Sequence, residues 1–247
     1  MVGDVVWQAD ELESAKAKAI STLAHDVKNP LAAIRLRAQV LARRIDEGQI
    51  TKEQMLEGLR RIEDSTREAC GVLSRALDNS RVVLGRPLDL AKVEVDLAQI
   101  AGSVAARYQS QTEQHHLAVD VRSPATGMWD PNRLERLVCE LIDNAVKFSP
   151  SGGQIVIEID AIEDEAGATA TLTIKDPGIG IDEQERGRIF DRFFTGSGPH
   201  ANRSGAGLGL AAAEQIAAQH GGCITVVSQL GEGSAFTAWL PMERKTA

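Results

Sequence analysis

The hydrophobic residues of the first ninety positions recur with the spacing of a packed helix. Steps of four and three alternate, which is a heptad pattern, through Ile20, Ala24, Val27, Leu31, Ile34, Ala38, Leu41 and Ile45. A second series with the same spacing runs from Met55 to Val83. Because heptad spacing keeps apolar side chains on one stripe of a helix, the pattern predicts two long helices.

The segment between the two series predicts a short connection. Gly48 interrupts the heptads within Asp46–Thr51, and Thr51 followed by Gln54 fits the capping box that starts many helices. Two helices joined in this way form a hairpin, which cannot bury both apolar stripes alone. We therefore expect a homodimer in which two hairpins form a four-helix bundle.

After Leu90 the period of the hydrophobic pattern changes several times. Strand-like segments occupy residues 91–95, 116–121, 152–162, 168–176, 223–229 and 234–241, and helix-like segments occupy residues 97–110, 130–149 and 207–220. Asp130 followed by Pro131 is a typical helix start. The order of the segments predicts an α+β domain with several antiparallel strands and helices on one face of the sheet. The two domains are then residues 1–88 and 89–247.

Charge and composition exclude several classes of function. The net charge of −8 comes entirely from residues 91–247, because residues 1–90 carry 14 basic and 14 acidic side chains. An acidic second domain argues against general binding to nucleic acid, which needs a basic surface. No apolar run reaches the roughly 18 residues of a membrane span, so no membrane contact is expected within this chain. Cys70, Cys139 and Cys223 form neither a disulfide framework nor a metal motif, which favours a cytoplasmic location.

Three glycine-bearing segments lie in order in the second domain: Asp176–Gly180 (DPGIG), Gly205–Leu210 (GAGLGL) and Gly231–Ser234 (GEGS). Any one of them alone is typical of a simple turn. The second opens an amphipathic helix, where backbone N–H groups can approach a phosphate closely. It lacks the Gly-Lys-Ser/Thr of a Walker A loop and the preceding strand of a dinucleotide fingerprint.

Four residues of the predicted helix 130–149 share one face, because Glu140, Asn144, Lys147 and Phe148 are spaced at i, i+4, i+7 and i+8. Such a stripe is often simply solvated. Asn144, however, lies between apolar neighbours, and a half-buried amide needs a polar partner. A hydrated Mg²⁺ bound to phosphate oxygens is such a partner, and Lys147 would then meet phosphate as a point charge.

The segment between the first two glycine clusters has the composition of a lid. Phe190, Phe193 and Phe194 supply three of the five phenylalanines, and Thr195–Ser204 is small, polar or rich in Gly and Pro. An apolar anchor followed by a loose linker is typical of segments that close over a bound ligand.

Taken together, these segments resemble the catalytic core of the sensor histidine kinases. Residues 25–31 are similar to the H box, 140–153 to the N box, 176–180 to the G1 box, 189–194 to the F box, 205–210 to the G2 box and 231–241 to the G3 region. The resemblance covers about residues 15–241. It implies a dimerisation and phosphotransfer hairpin followed by a Bergerat-fold ATP-binding domain, an α/β sandwich with a mixed, mainly antiparallel sheet.

By this resemblance His25 is the phosphoacceptor and Asp26 is the adjacent acid that takes its proton. Asn29 matches the residue that orients water for dephosphorylation of a partner. The implied partner is the receiver domain of a response regulator, whose aspartate accepts the phosphoryl group. The heptads place His25 and Asn29 outside the seam, on one exposed face of the helix. Pro30 lacks the N–H that would bond the Asp26 carbonyl, which predicts a loosened turn just below His25.

The resemblance also implies a nucleotide site. Asp176 matches the acid that bonds the adenine amino group, Asn144 the Mg²⁺ ligand and Lys147 the phosphate contact. Phe148 matches the aromatic residue whose ring lies near adenine. The other implied nucleotide contacts are Glu140, Gly178, Gly180, Phe190, Arg203, Gly205, Gly207, Leu208 and Gly209.

Two residues depart from the pattern of the family. Glu140 stands where many members have Asn, so it either activates water for idle ATP hydrolysis or makes a second polar contact near Mg²⁺. Pro177 stands where Asn is commoner and is expected only to stiffen the turn.

The sequence therefore predicts an ATP-dependent protein-histidine kinase that phosphorylates His25 and passes the phosphoryl group to a receiver domain. Two alternatives stay open from the residues. One is a phosphotransfer scaffold with an inert ATPase-like domain, and the other is an ATPase that drives a conformational change.

Overall fold

The computed structural model describes residues 28–47, 50–63, 65–66, 69, 89–164, 167–196 and 207–242. The chain divides into two compact units, residues 1–81 and 82–247. The boundary predicted between residues 88 and 89 stays a prediction, because residues 70–88 lie outside the described ones. Within the described residues, no helix combines the length and the apolar character that crossing a membrane requires.

The first unit contains the two predicted helices. Within the described residues, helix α1 includes residues 28–46, and helix α2 includes residues 52–63, 65–66 and 69. The predicted capping box is confirmed at the start of α2: the Gln54 N–H donates to Thr51 Oγ1 (3.2 Å), and the Thr51 N–H donates to Gln54 Oε1 (3.1 Å). Two otherwise unsatisfied N–H groups are thus paired, and the connection ends at the residue that the sequence predicts.

Helices α1 and α2 pack against each other as a hairpin. A Cβ added at Gly58 would lie 2.9 Å from Leu41 Cδ1, so the glycine lets the two helices approach closely. Arg37 donates from α1 to the Arg61 carbonyl of α2 (2.8 Å) and also to Ser65 Oγ. Large apolar side chains nevertheless stay exposed on this unit, namely Leu31, Leu36, Val40, Ile45, Leu56 and Leu59.

The described residues of the second unit form two sheets and three helices. The strands are β1 (Val93–Asp96), β2 (His115–Val121), β3 (Thr126–Trp129), β4 (Gly153–Asp164), β5 (Gly167–Asp176), β6 (Cys223–Gln229) and β7 (Gly233–Pro241). The helices are α3 (Leu97–Gln109), α4 (Pro131–Phe148) and α5 (Gly209–Gln219). The main sheet has the order β2-β4-β5-β7-β6, in which β2 and β4 are parallel and all other pairs antiparallel. The mixed, mainly antiparallel sheet is therefore confirmed.

The core of this unit lies between the main sheet and the helices. Ile155, Ile157 and Ile159 alternate along β4 and are fully buried, as the strand period of two requires. They belong to one cluster with Leu137 and Leu141 of α4, which are also fully buried. Helix α4 thus covers the centre of the sheet with its buried face. The residues beside that face remain available for other contacts.

Two details differ from the predicted pattern. Strand β3 (Thr126–Trp129) pairs antiparallel with β1 and does not appear in the predicted order. A four-residue segment with a glycine is too short to show alternation, and it becomes a strand through pairing. Strands β4 and β5 extend to Asp164 and Gly167, so their connection is shorter than predicted.

Candidate functional site

The polar face predicted on α4 lies at the border of the buried core. Leu137, Leu141 and Ala145 are buried, whereas Glu140 and Asn144 are half-buried. The helix begins at Asp130, whose Oδ1 accepts the N–H groups of Asn132 (3.0 Å) and Arg133 (3.1 Å). The predicted N-cap is therefore confirmed, and it fixes the start of a helix whose other end carries Lys147 and Phe148.

The last turn of α4 presents a cation beside an aromatic ring. Lys147 Nζ lies 5.1 Å from the centre of the Phe148 ring, within the range of a cation–π contact. Burial lowers the pKa of Lys147, and the negative charge of Asp143, one turn earlier, opposes that effect. The ammonium group is thus half-buried and is supported by a carboxylate on its own helix.

Asp176 ends β5 and carries a buried carboxylate beside the G1 turn. Its side chain is 8% exposed, and Oδ1 accepts the Gly178 N–H at 2.9 Å. Burial raises the pKa of Asp176, while backbone N–H donors, first that of Gly178, act in the opposite direction. A buried carboxyl at the edge of this turn is suited to accept a hydrogen bond from a donor group of a ligand.

The G1 turn is joined directly to the end of α4. The Ile179 N–H donates to the Phe148 carbonyl at 2.9 Å. A Cβ on Gly178 would lie 2.3 Å from that carbonyl oxygen and 2.5 Å from Asp176 Oδ1. Only glycine fits there, so the structure brings Phe148, Asp176 and Gly178 together as one assembly.

Ser149 belongs to this assembly although the sequence analysis does not assign it a role. It is 1% exposed, and its hydroxyl lies near the Asp176 carboxyl. The hydroxyl makes no acceptable hydrogen bond within the part of the chain that the structure describes. Its position directly after Lys147 and Phe148 is a signal in the sequence that would have pointed to it.

The turn between β6 and β7 forms the support behind Asp176. Gly180 has φ +68°, and a Cβ there would lie 1.9 Å from the Gln229 carbonyl oxygen. The Gly231 N–H donates to the Ile179 carbonyl at 2.7 Å. The first and third glycine clusters thus pack on each other, and this contact fixes the G1 turn.

The start of α5 is the described part of the G2 segment. Gly207 has φ +65°, and its carbonyl accepts the Phe193 N–H at 2.8 Å. Leu208 occupies the N-cap position without a side-chain hydrogen bond. A Cβ on Gly209 would lie 2.7 Å from Glu140 Oε2, so the Glu140 carboxylate lies against the first turn of α5.

Glu140 also contacts Arg136 one turn earlier on α4. Arg136 Nε lies 3.4 Å from Glu140 Oε1, and both side chains are largely buried, at 7% and 17% exposed. The carboxylate is therefore shared between a buried guanidinium and the N-terminus of α5, where negative charge is favourable.

The F-box segment packs beside the same helix start. Phe190 and Phe194 are half-buried against the core, and the Arg188 guanidinium lies 4.8 Å from the centre of the Phe194 ring. Phe193 has φ +67°, the one positive φ among non-glycine residues that the structure describes. This strained backbone lies where the chain turns towards the predicted lid.

Four predicted site residues, His25, Asp26, Arg203 and Gly205, lie outside the described residues, as does most of the predicted lid. The helix is continuous across Pro30 from residue 28 onward, and Asn29 lies on its exposed side. The predicted loosened turn at the Asp26 carbonyl also lies outside the described part.

Profiles of two protein families match the chain. The family described as "His Kinase A (phospho-acceptor) domain" matches residues 15–83. The family described as "Histidine kinase-, DNA gyrase B-, and HSP90-like ATPase" matches residues 129–244. The two profiles cover the segments in which the H box and the N, G1, F, G2 and G3 segments were identified.

Known proteins and solved structures resemble the chain over most of its length. The sensor-like histidine kinase SenX3 of Mycobacterium tuberculosis is 28% identical over 93% of this chain and 55% of its own length. A mycobacterial sensor histidine kinase MprB structure is 31% identical, with a TM-score of 0.54, and covers 63% of this chain and 100% of its own. Full-length ShkA in complex with AMPPNP is 26% identical, with a TM-score of 0.60, and covers 92% of this chain and 47% of its own. The chain spans about a third to three fifths of the length of the curated relatives it matches.

Proposed function

Because the chain belongs to the sensor histidine kinases, we propose that it uses Mg²⁺-ATP to phosphorylate His25 and then transfers the phosphoryl group to an aspartate of a response-regulator receiver domain. The observation that carries this proposal is the assembly at the end of α4. There a buried carboxylate, an orphan hydroxyl and a glycine turn meet beside Lys147 and Phe148.

The residues of this assembly fit the adenine end of a nucleotide. The Asp176 carboxylate would accept a hydrogen bond from the exocyclic amino group. The buried Ser149 hydroxyl lacks a partner among the described residues and would gain one from the ring or from a bridging water. The absence of a side chain at Gly178 and Gly180 leaves the turn close enough to form the wall of the site.

The other end of the α4 face fits Mg²⁺ and phosphate. Asn144 supplies an amide oxygen, which is the kind of ligand that Mg²⁺ prefers, and Glu140 supplies a carboxylate one turn earlier. When bound, the ion would neutralise phosphate charge and hold its oxygens. Lys147 adds a half-buried ammonium group, whose attraction to phosphate is strengthened by its partial removal from water.

His25 is the nucleophile in this proposal. In the proposed step its neutral imidazole nitrogen attacks the γ-phosphorus in line, so that a P–N bond forms while the bond to the β,γ-bridging oxygen breaks and ADP leaves. Asp26 favours the tautomer that leaves the attacking nitrogen free. Asp26 also stabilises the positive charge that develops on the ring. Asn29, exposed on α1, is proposed to orient the water molecule that hydrolyses the phosphoaspartate of the receiver domain.

A second copy of the chain is the proposed partner of the helical hairpin. The exposed side chains include Leu31, Ile45 and Leu59, which belong to the predicted heptad stripes. They would be buried in a four-helix bundle formed by two hairpins. A cytoplasmic location goes with this function, because ATP and receiver domains are available there.

Neither alternative function is favoured by the family to which the chain belongs. An inert ATPase-like domain would not require a buried Asp176 carboxyl held by a glycine turn. An ATPase that only drives conformational change has no use for an H-box histidine. Nucleotide titration separates the first alternative from the proposal, and labelling of His25 separates the second.

The proposal is tested by incubating the chain with γ-labelled ATP and Mg²⁺. The chain should gain an acid-labile label that His25→Ala loses and His116→Ala, at an exposed position on β2, retains. Asn144→Ala should lower the labelling rate by at least about tenfold, whereas Asn132→Ala, exposed on the same helix, should not. Label that survives in His25→Ala would refute the assignment of the phosphoacceptor.

A further inference from the structure

The contact between α3 and α4 contains the single tyrosine of the chain, Tyr108. Its ring packs against the hydrophobic core, while its hydroxyl donates to Asp143 Oδ1 at 2.6 Å. The same hydroxyl lies 3.5 Å from the Cys139 carbonyl oxygen. The pKa of Tyr108 is raised, first by burial and then by the Asp143 charge. The tyrosine therefore stays protonated and acts as a permanent donor to the carboxylate.

The position of Tyr108 is fixed by its neighbour. Arg107 donates to Glu135 Oε1 (2.7 Å) and to Cys139 Sγ (2.9 Å). Burial raises the pKa of Cys139 to about 11, so this thiol stays neutral. Glu135, Cys139 and Asp143 follow at i, i+4 and i+8, so one stripe of α4 is attached to the last turn of α3.

Asp143 connects this stripe to the nucleotide face of α4. It directly precedes Asn144 and lies one turn before Lys147, the spacing at which an acid stabilises a following lysine on a helix. Its charge opposes the effect that burial has on Lys147. A carboxylate held by the tyrosine presents its charge from one fixed direction, which a mobile carboxylate cannot do.

We propose that Tyr108 is a positioning residue for phosphate binding, which holds the Asp143 carboxylate and thereby sets the position of the Lys147 ammonium group. The inference rests on the proposed function, because it takes Lys147 as the phosphate contact. Tyr108 itself lies on α3 and touches the core and α4. We therefore expect its effect at the phosphate end of the nucleotide.

The test compares a ligand that carries phosphates with one that does not. Tyr108→Phe keeps the ring and removes only the hydroxyl. It should weaken ATP binding roughly three- to tenfold, the usual size for a residue that acts through a network. Adenosine binding, measured by ligand-observed NMR, should not change. The matched control is Thr237→Val, which deletes a hydroxyl bonded to Thr173 (2.9 Å) elsewhere in the unit.

A double-mutant cycle tests the route of the effect. In a Lys147→Gln background, Tyr108→Phe should cause no further loss of ATP affinity, because the group through which it acts is gone. Asp143→Asn, with Tyr108 intact, should weaken ATP binding at least as much as Tyr108→Phe and leave adenosine binding unchanged. This second variant keeps the test valid if Tyr108→Phe folds poorly.

Two results would overturn the inference. Equal weakening of ATP and adenosine would assign Tyr108 a general structural role, and additive losses in the Lys147→Gln background would exclude the route through Lys147. These failures differ from a failure of the proposed function, in which the unaltered chain would bind ATP but leave His25 unlabelled, or bind no ATP.

Discussion

At the scale of single residues, Gly209 and Glu140 lie in close contact at the start of α5. A Cβ at position 209 would meet Glu140 Oε2 at 2.7 Å, which is closer than non-bonded atoms approach. We therefore expect Gly209→Ala to displace the carboxylate from Arg136 and from the helix start. The unfolding free energy should fall by about 1 kcal/mol or more, as for other overpacked sites.

The sign of this effect should reverse when the carboxylate is absent. In a Glu140→Ala background, Gly209→Ala should raise the unfolding free energy by up to about 1 kcal/mol, because alanine is the better helix former. Urea unfolding followed by tryptophan fluorescence, to which Trp129 and Trp239 of this unit contribute, measures both changes. A loss of the same size in both backgrounds would show that the two residues are not coupled.

Several residues of the candidate site were predicted from their motifs, and others were not. Asn144 and Asp176 stand out because a polar residue between apolar neighbours, or before a glycine turn, is visible along the chain. Ser149 is indicated only by its place directly after Lys147 and Phe148, and Tyr108 carries no signal along the chain. The significance of both arises from burial and from contacts with residues distant in sequence. The role of Glu140 likewise depends on Gly209, which is far away along the chain.

At the scale of elements, a buried histidine joins the helices α4 and α5. His220 is 2% exposed, and its Nε2 accepts the Asp130 N–H at 3.0 Å. Its Nδ1 must therefore carry the proton, which it donates to the Ile216 carbonyl at 2.8 Å. Asp130 Oδ2 in turn accepts the Ala91 N–H at 2.9 Å, so the entry to β1 belongs to the same network.

This network predicts a loss of stability in mild acid. Burial lowers the pKa of His220, and the nearby charges of Lys92 and Arg133 act in the same direction, whereas the hydrogen bond to the Ile216 carbonyl and the charge of Asp130 act against it. The unfolded chain binds the proton at about pH 6.5, whereas the folded chain binds it only at lower pH. The stability contributed by the neutral ring is thus complete above about pH 6.5 and is lost as the pH falls towards the folded pKa.

The free energy of unfolding is measured with urea between pH 7.5 and about pH 5. The unaltered chain is compared with the variants His220→Gln and His116→Gln. His220→Gln should be less stable at neutral pH by about 1–3 kcal/mol, because buried hydrogen bonds are lost, but its stability should change less with pH. His116→Gln, at an exposed position, should follow the unaltered chain. Parallel curves for all three proteins would contradict the assignment of this titration to His220.

Elements were predicted well where local chemistry specifies their ends. The capping box at Thr51 and the cap at Asp130 both lie where the sequence predicts them. Strand β3 was missed because Thr126–Trp129 has no periodicity of its own and depends on pairing with β1. The family resemblance implied a mixed, mainly antiparallel sheet, but the parallel pairing of β2 with β4 is a long-range property that only the structure shows.

At the scale of the whole molecule, the chain divides into two units that differ in how their described residues bury apolar side chains. The second unit has a core of large, fully buried side chains, although Val227 and Leu230 stay exposed on its surface, whereas the first leaves leucines such as Leu31 and Leu59 about half exposed, at 50% and 51%. Exposed leucines on a heptad stripe are typical of a helix that packs against another chain. The sequence predicts the stripe, but only the structure shows how little of it one hairpin covers.

Leu59→Glu tests whether a second copy covers this stripe. We expect the unaltered chain to sediment as a dimer at micromolar concentration and Leu59→Glu to shift it towards monomer by at least about tenfold in the dissociation constant, since a charge would be buried at the contact. The control is Arg60→Glu, which changes the charge more but lies at an exposed position outside the stripe. ATP affinity should stay the same in both variants, because all residues of the proposed nucleotide site belong to the second unit. A monomeric unaltered chain, or equal effects of the two substitutions, would exclude the leucine stripe as the dimer contact.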